Sequence, residues 1–397
     1  MVAARPQGDT ATRTPATGGA PAAVPVPEAL GGTGVAPGTA ARAVSRVFHP
    51  LRVATVERLC ADAVAVTFEV PPALAEEYRF RAGQSLTLRR MVDGSEERRS
   101  YSLCAPVGGP LRIGVREVPG GLFSSWLVNE LQVGDLVEAL PPLGTFTPDL
   151  DRPAHHVLVA AGSGITPVLS IAASVLADPD ARVTLFYGNR RSDTVMFADD
   201  LADLKDRHLD RFQLVHVLSR EPREAELFSG RLDRERFAAL VAALVEVGDV
   251  DHWWLCGPFG MVEDARAALD AAGVPAGRVH RELFYAEESE GVPPTLRHPE
   301  AVFDGPSAQA TVLLDGREST VAVPFGTTVL EGAQRARPDL PFACKGGVCG
   351  TCRALVVSGE VRMRRNFALE PEEIEAGYVL TCQAEPVSDQ VSLDYDS

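Results

Sequence analysis

The sequence predicts a multidomain fold: an antiparallel β-barrel, then an α/β domain built on a parallel sheet, then a compact α+β domain. Three observations carry this reading. Short strand-like runs broken by Gly and Pro fill residues 51–148, strand and helix patterns alternate from residue 156, and four of the seven cysteines lie at 344, 349, 352 and 382. A chain of 397 residues, 45% of them apolar, has the length for two or three domains and the material for their cores.

Residues 1–48 precede these units. Ala, Gly, Pro and Thr supply 31 of these 48 residues, and Phe48 is their one aromatic, so the segment lacks the apolar area for a core and is expected to be a disordered tail. It has no continuous apolar run, so it is not read as a secretory signal. In the barrel region, expected over 49–152, AVAVTFEV puts Val64, Val66, Phe68 and Val70 on one face at period two. LTLRR, RRSYSL and LRIGVREV follow at hairpin spacing, and GGLFSSWLVNEL reads as a helix with Phe123, Leu127 and Leu131 on one side. Over 153–285, VLVAAG, RVTLFYG, FQLVHVLS and HWWLCGP read as strands, with helical stretches such as FADDLADLKDR and GMVEDARAALDAAG between them. That alternation predicts a parallel sheet covered by helices. Residues 286–308 are acidic and unpatterned and read as a linker; 309–397 form the third unit.

Composition also excludes function classes. A net charge of −16 argues against nucleic-acid partners, which need a basic face. Residues 155–177 are apolar enough to suggest a membrane span, but Gly162, Gly164 and Pro167 interrupt their middle, where a strand–turn–helix would break. No span is expected. His155 and His156 stand before a strand without metal partners nearby, and Glu372 and Glu373 read as a solvated helix face. No Ser–His–Asp pattern stands out.

The stretch CKGGVCGTC poses a choice between a disulfide framework, a zinc site and an iron–sulfur cluster. An odd number of cysteines, with Cys60, Cys104 and Cys256 scattered upstream, is no secreted disulfide scaffold and fits a reducing, cytoplasmic setting. Zinc ribbons usually present two C-x2-C knuckles, and this chain has one. The full spacing, C-x4-C-x2-C-x29-C over Cys344, Cys349, Cys352 and Cys382, is that of plant-type 2Fe–2S ferredoxins. Gly346, Gly347 and Gly350 let such a loop fold tightly and aim N–H groups at sulfur. Two irons with two cysteine ligands each are expected.

A one-electron cluster needs a source of electrons. RSYS, Arg99 to Ser102, sits in a barrel strand, and GGLFS, Gly120 to Ser124, opens the next helix. Together they resemble the flavin-binding barrel of the ferredoxin–NADP reductase family. The resemblance implies Arg99 on the flavin phosphate, and Tyr101 and Ser102 against the isoalloxazine and ribityl chain. It also implies that the amides of Gly121 and Ser124 meet phosphates at a helix N-terminus. GSGITP, from Gly162 and Gly164 to Thr166 and Pro167, lies at a strand-to-helix switch, where glycine lets the backbone approach a phosphate. It departs from G-x-G-x-x-G but resembles this family's G-x-G-x-x-P. Cys256, Gly257 and Pro258 match the family's position facing the nicotinamide, and Phe284 falls where the family places an aromatic over the flavin. After the second strand, YGNRRSD offers Asn189, Arg190, Arg191 and Ser192 in place of an acid. These suit a 2′-phosphate and so NADPH, with NADH the alternative.

Several oxygenase reductases share this domain order. The run LPFACKGGVCGTCRALVVSGEVRMRRNFALEPEEIEAGYVLTCQAEP closely resembles the reductase subunits of phenylacetyl-CoA epoxidase complexes. That resemblance implies a β-grasp ferredoxin domain, FAD, and delivery of electrons to the di-iron oxygenase subunits of a multicomponent epoxidase. Electrons would pass as a hydride from NADPH to FAD, then singly through the cluster to the partner. Two alternatives stay open: a reductase of another ring- or alkane-hydroxylating oxygenase, and a non-enzymatic ferredoxin-like redox module.

Overall fold

The structure is a computed structural model that describes residues 47–92, 94–284 and 306–397. The expected tail apart from Val47 and Phe48, and the expected linker apart from 306–308, lie outside the described residues.

The first unit comprises strands β1 (His49–Cys60), β2 (Ala63–Glu69), β3 (Ser85–Val92), β4 (Ser95–Ser102) and β5 (Leu111–Arg116), then helix α1 (Leu122–Asn129) and strand β6 (Leu136–Ala139). The strands run antiparallel in the order β4-β3-β6-β1-β2-β5, and a bridge between Leu103 and Ile113 joins the two edges into a barrel. Alternation along β2 explains its residues. Val64, Val66 and Phe68 fill the barrel interior, while the small Ala63 and Ala65 face the next domain and pack in its core. Helix α1 ends at Asn129, so Leu131 lies beyond it, yet it is still buried in the barrel cluster.

The second unit alternates β7 (His155–Ala161), α2 (Ile165–Val175), β8 (Arg182–Asn189), α3 (Ala198–Arg207), β9 (Phe212–Leu218), α4 (Arg234–Leu244), β10 (His252–Gly257), α5 (Phe259–Ala271) and β11 (Val279–Leu283). All five strands are parallel, in the order β11-β10-β7-β8-β9. Both faces are covered. Leu158, Ala160 and Leu185 pack under α2 and α3 with the barrel, and Val157, Val159 and Phe186 pack under α4 and α5. His155 and His156 belong to β7 rather than preceding it, because the run of buried side chains begins at His156. His156 accepts a hydrogen bond at Nδ1 from the Trp254 indole (3.1 Å), a core role. No helix among the described residues is long and apolar enough to cross a membrane.

The third unit holds β12 (Ser307–Leu314), β13 (Arg317–Pro324), α6 (Val329–Ala333), β14 (Arg353–Ser358), β15 (Val361–Met363), α7 (Pro371–Glu375), β16 (Tyr378–Leu380), β17 (Ala384–Pro386) and β18 (Gln390–Asp394). Its mixed sheet runs β13-β12-β18-β14-β16, with β12 parallel to β18 and α6 packed on the sheet, the β-grasp arrangement. Glu373 departs from the expected solvated face. It caps α7 by accepting from the Glu370 amide and binds Arg353 at 2.6 Å, because the short helix folds back over β14.

Candidate functional site

The cysteine loop, 344–352, connects α6 to β14, and the fourth cysteine follows β16. Long-range bonds bring the two segments together. The Thr381 amide and hydroxyl both donate to the Cys352 carbonyl (3.1 and 2.9 Å), and the Gln383 side chain donates to the Lys345 carbonyl (2.9 Å). Lys345, Gly347 and Gly350 take positive φ, which coils the loop, and the Gly346 amide donates to the Cys344 sulfur at 3.3 Å.

All four thiols are free, and they interact two by two. A hydrogen bond with Cys349 lowers Cys344 to about 7, while Cys349 is pushed up; Cys382 is lowered by Cys352, which is pushed up in turn. Among the described residues no three His, Cys, Asp or Glu side chains stand around one point as for a single metal ion. Four free thiols that interact with one another, with an amide already aimed at sulfur, fit the donor set of a 2Fe–2S cluster.

In the barrel, Arg99 is half-exposed and bonds Glu97 (2.9 Å) and the Arg98 carbonyl (2.7 Å). Tyr101 lies on the same side of β4, its ring 6.0 Å from that of Phe123. The Gly121 amide already donates to the Val118 carbonyl (2.8 Å), and the Ser124 hydroxyl accepts from the Val118 amide (3.1 Å). Of the two amides expected on phosphate, Gly121 is therefore engaged within the turn, and Ser124 lies in the first turn of α1, where amides have no carbonyl partner inside the helix.

At the sheet, Gly162 to Gly164 form one tight turn between β7 and α2, with Gly162 at φ +56°. A Cβ on Gly164 would lie 2.2 Å from the Cys256 carbonyl oxygen, so only glycine lets this turn press against the end of β10. Thr166 is buried and its hydroxyl donates to the Ser163 carbonyl (3.0 Å); Pro167 sits in the first turn of α2, where a missing N–H costs nothing. Gly257 ends β10 and Pro258 caps α5, while Phe284, just past β11, is half-buried against the core shared with the barrel.

The nucleotide rim differs from its expectation. Arg190 and Arg191 are exposed at the end of β8, with Arg191 bound to Asp193 at 3.2 Å. An acid does reach this rim: Glu221 accepts from both the amide and the hydroxyl of Ser192 (2.9 Å each), and those bonds hold its carboxyl below the usual range. It arrives from the loop after β9, where Arg220 also donates its amide to the Arg190 carbonyl (2.8 Å).

One residue that no sequence motif points to ties two of these parts together. Glu282, on β11, stands in register with Cys256 on β10 and accepts from the Ser102 hydroxyl of β4 at 3.4 Å. Burial of the carboxyl group pushes it up to about 8, against the Ser102 hydrogen bond, which lowers it. Cys256 is wholly buried, and desolvation first, then Glu282, pushes its thiol well up. Barrel and nucleotide sheet thus meet at this carboxyl group. The cysteine loop is seated by Val348 in the α5-side core and by Phe367, whose ring meets Phe259 edge-on at 5.7 Å.

Known proteins match the same three units. An oxidoreductase FAD-binding domain model matches residues 50–147, an oxidoreductase NAD-binding domain model 158–267, and a 2Fe-2S iron-sulfur cluster binding domain model 312–387. The chain is 41% identical over 355 residues to a component of the 1,2-phenylacetyl-CoA epoxidase of Escherichia coli (strain K12), covering 88% of this chain and 98% of that one. It is 36% identical to the ferredoxin reductase component of 3-ketosteroid-9-alpha-monooxygenase from Mycolicibacterium smegmatis, covering 87% and 96% of the two chains. Among solved structures, phthalate dioxygenase reductase, described as a modular structure for electron transfer from pyridine nucleotides to [2Fe-2S], matches with TM-score 0.55 and 25% identity over 87% of this chain and 98% of that one.

Proposed function

We propose, for a chain that belongs to the family of FAD-, NAD- and 2Fe–2S-binding oxidoreductases to which these oxygenase reductases also belong, that it draws electrons from NADPH and delivers them to the di-iron subunits of a phenylacetyl-CoA epoxidase. The single observation that supports the relay is that three domains meet: Ser102 of the barrel donates to Glu282, which stands beside Cys256 in the nucleotide sheet, and Val348 of the cysteine loop packs into the core of that same domain. When bound, the nucleotide supplies a hydride, and the flavin and cluster convert that pair of electrons into single ones.

The chain's own residues bind and orient. Arg99 offers a guanidinium to the flavin phosphate, and Tyr101 offers a ring beside Phe123. The turn at Gly162–Gly164 gives backbone to a phosphate at the C-terminal edge of the sheet. Cys256, neutral and buried, backs the nicotinamide position, and Phe284 shields the flavin side from water. Glu282 holds a proton near neutral pH and keeps Ser102 oriented by accepting its hydroxyl. Arg190 and Arg191 are exposed at the end of β8 and offer positive charge to a 2′-phosphate, which favours NADPH over NADH. Cys344, Cys349, Cys352 and Cys382 would hold the irons.

The phenylacetyl-CoA assignment is supported by the length and identity of the match to the Escherichia coli epoxidase component. The ferredoxin unit, 309–397, carries 13 acidic against 8 basic residues, which suits a basic docking face on the partner. Seven free cysteines suit the cytoplasm. NADPH-driven turnover of phenylacetyl-CoA with purified oxygenase subunits tests the reading. Turnover of another oxygenase's substrate with no rate on phenylacetyl-CoA would transfer the protein to a different complex.

A further inference from the structure

We propose that Arg98 is a positioning residue that registers the cysteine loop against strand β4 and so sets the flavin-to-cluster gap; this rests on the reductase reading above. Only 4% of Arg98 is exposed, and burying a guanidinium is costly unless it is bonded and paired. Its partners come from three segments. Nε meets the Glu96 carboxylate of the same strand at 2.6 Å, and Nη1 donates to the Leu340 carbonyl of the ferredoxin unit at 3.3 Å. The guanidinium carbon lies 4.1 Å from the Phe342 ring centre and 5.1 Å from that of Phe48, just before β1. Leu340 and Phe342 lead directly into Cys344, and Lys345, just past that ligand, lies 4.2 Å from the same Phe342 ring. The barrel therefore grips the cysteine loop at the point where its ligands begin.

The strand makes this grip consequential. Successive residues of a strand point to opposite sides. Arg98 faces the approach to the cysteine loop, while Arg99 and Tyr101 face the side proposed for the flavin. One strand is thus referenced to both redox centres, and a shift of the loop changes the gap between them. The step at stake moves one electron at a time from reduced flavin to a ferric iron of the cluster, with NADPH as the source. The flavin is oxidised, the iron becomes ferrous, the flavin proton leaves to solvent with the second electron, and no bond to the protein forms or breaks.

The test uses the holoenzyme with Arg98→Gln, Phe342→Leu and the double variant. Flavin reduction by NADPH and ferricyanide reduction stay at wild-type rates. Flavin-to-cluster transfer, followed by rapid mixing, slows about tenfold, as expected when one charge-assisted hydrogen bond is removed from a docking equilibrium. Amide hydrogen exchange at 340–345 speeds up in each variant, a readout independent of turnover. The double variant is no slower than the slower single one, since both remove one contact. Wild-type transfer and exchange in Arg98→Gln overturn the proposal, as do additive effects in the double variant. If Arg98→Gln fails to fold, Phe342→Leu decides alone, and wild-type behaviour there overturns it. Failure of the wild-type flavin to accept electrons from either nucleotide would instead remove the reductase reading beneath it.

Discussion

The domain junction and the nucleotide rim both assemble charged and polar side chains from distant elements, yet they do so in opposite environments. At the junction, Arg98, Ser102, Cys256 and Cys352 are buried and Glu282 is half-buried, so each polar group has a specific partner and each charge shifts its neighbours strongly. At the rim, Arg190, Arg191 and Asp193 stand in solvent, where water and salt screen them. The difference teaches where substitutions act: junction changes should break the relay, and rim changes should only retune affinity.

The largest expected effect is at the cysteines. Cys382→Ser removes the proposed fourth ligand, whose free thiol neighbours that of Cys352, so iron–sulfur absorbance and the reduced-state EPR signal should vanish. Yellow flavin and NADPH-driven ferricyanide reduction should remain, because the other two units have their own cores, while oxygenase turnover collapses. Oxygenase turnover at wild-type rate in this variant would break the comparison outright.

At the rim, Arg190→Ala with Arg191→Ala should raise KM for NADPH roughly tenfold and spare NADH, from the loss of charge-assisted phosphate bonds of about 1.5–3 kcal/mol each, reduced by screening. Glu221→Gln should act in the other direction, lowering KM for NADPH, because Ser192 is freed from a carboxylate that repels phosphate. A wild-type preference for NADH in steady-state kinetics would overturn the rim assignment.

These residues also show what was legible in the sequence. The 2Fe–2S domain could be read because three of its four cysteines share one nine-residue loop, so the expectation is written in local spacing. The barrel and the parallel sheet could be read because alternation and β–α order are local patterns too. Glu282 could not: it is a single acid in a strand, and its bond to Ser102 depends on how the barrel and the nucleotide domain close. The one available signal was an acid within the apolar end of RELF. Glu221 was hidden similarly, because the parallel pairing of β8 and β9 brings it beside Ser192 from 29 residues away. Glu373 looked solvated for want of any local hint that Arg353 lies opposite.

The smallest expected effect concerns the base of the parallel sheet. Burial pushes His156 down to about 3 and His280 down to about 4, with His252 beside both, His155 and Asp251 near the first and Glu372 near the second. Both rings stay neutral in the folded protein but protonate near 6.5 when unfolded, so stability falls as pH drops below about 6.5. The melting temperature should decline from pH 7 to pH 5, and His156→Asn, which keeps an acceptor near the Trp254 indole, should make the decline shallower. An equally steep decline in the variant would assign it to other groups.

The relay through all three domains is tested most directly by rapid mixing of the oxidised holoenzyme with one equivalent of NADPH, following flavin and iron–sulfur absorbance together. The junction geometry predicts that flavin absorbance bleaches first and that cluster absorbance falls afterwards, as flavin absorbance partly returns. Bleaching of the cluster at or before the flavin phase would contradict the order of nucleotide, flavin and cluster.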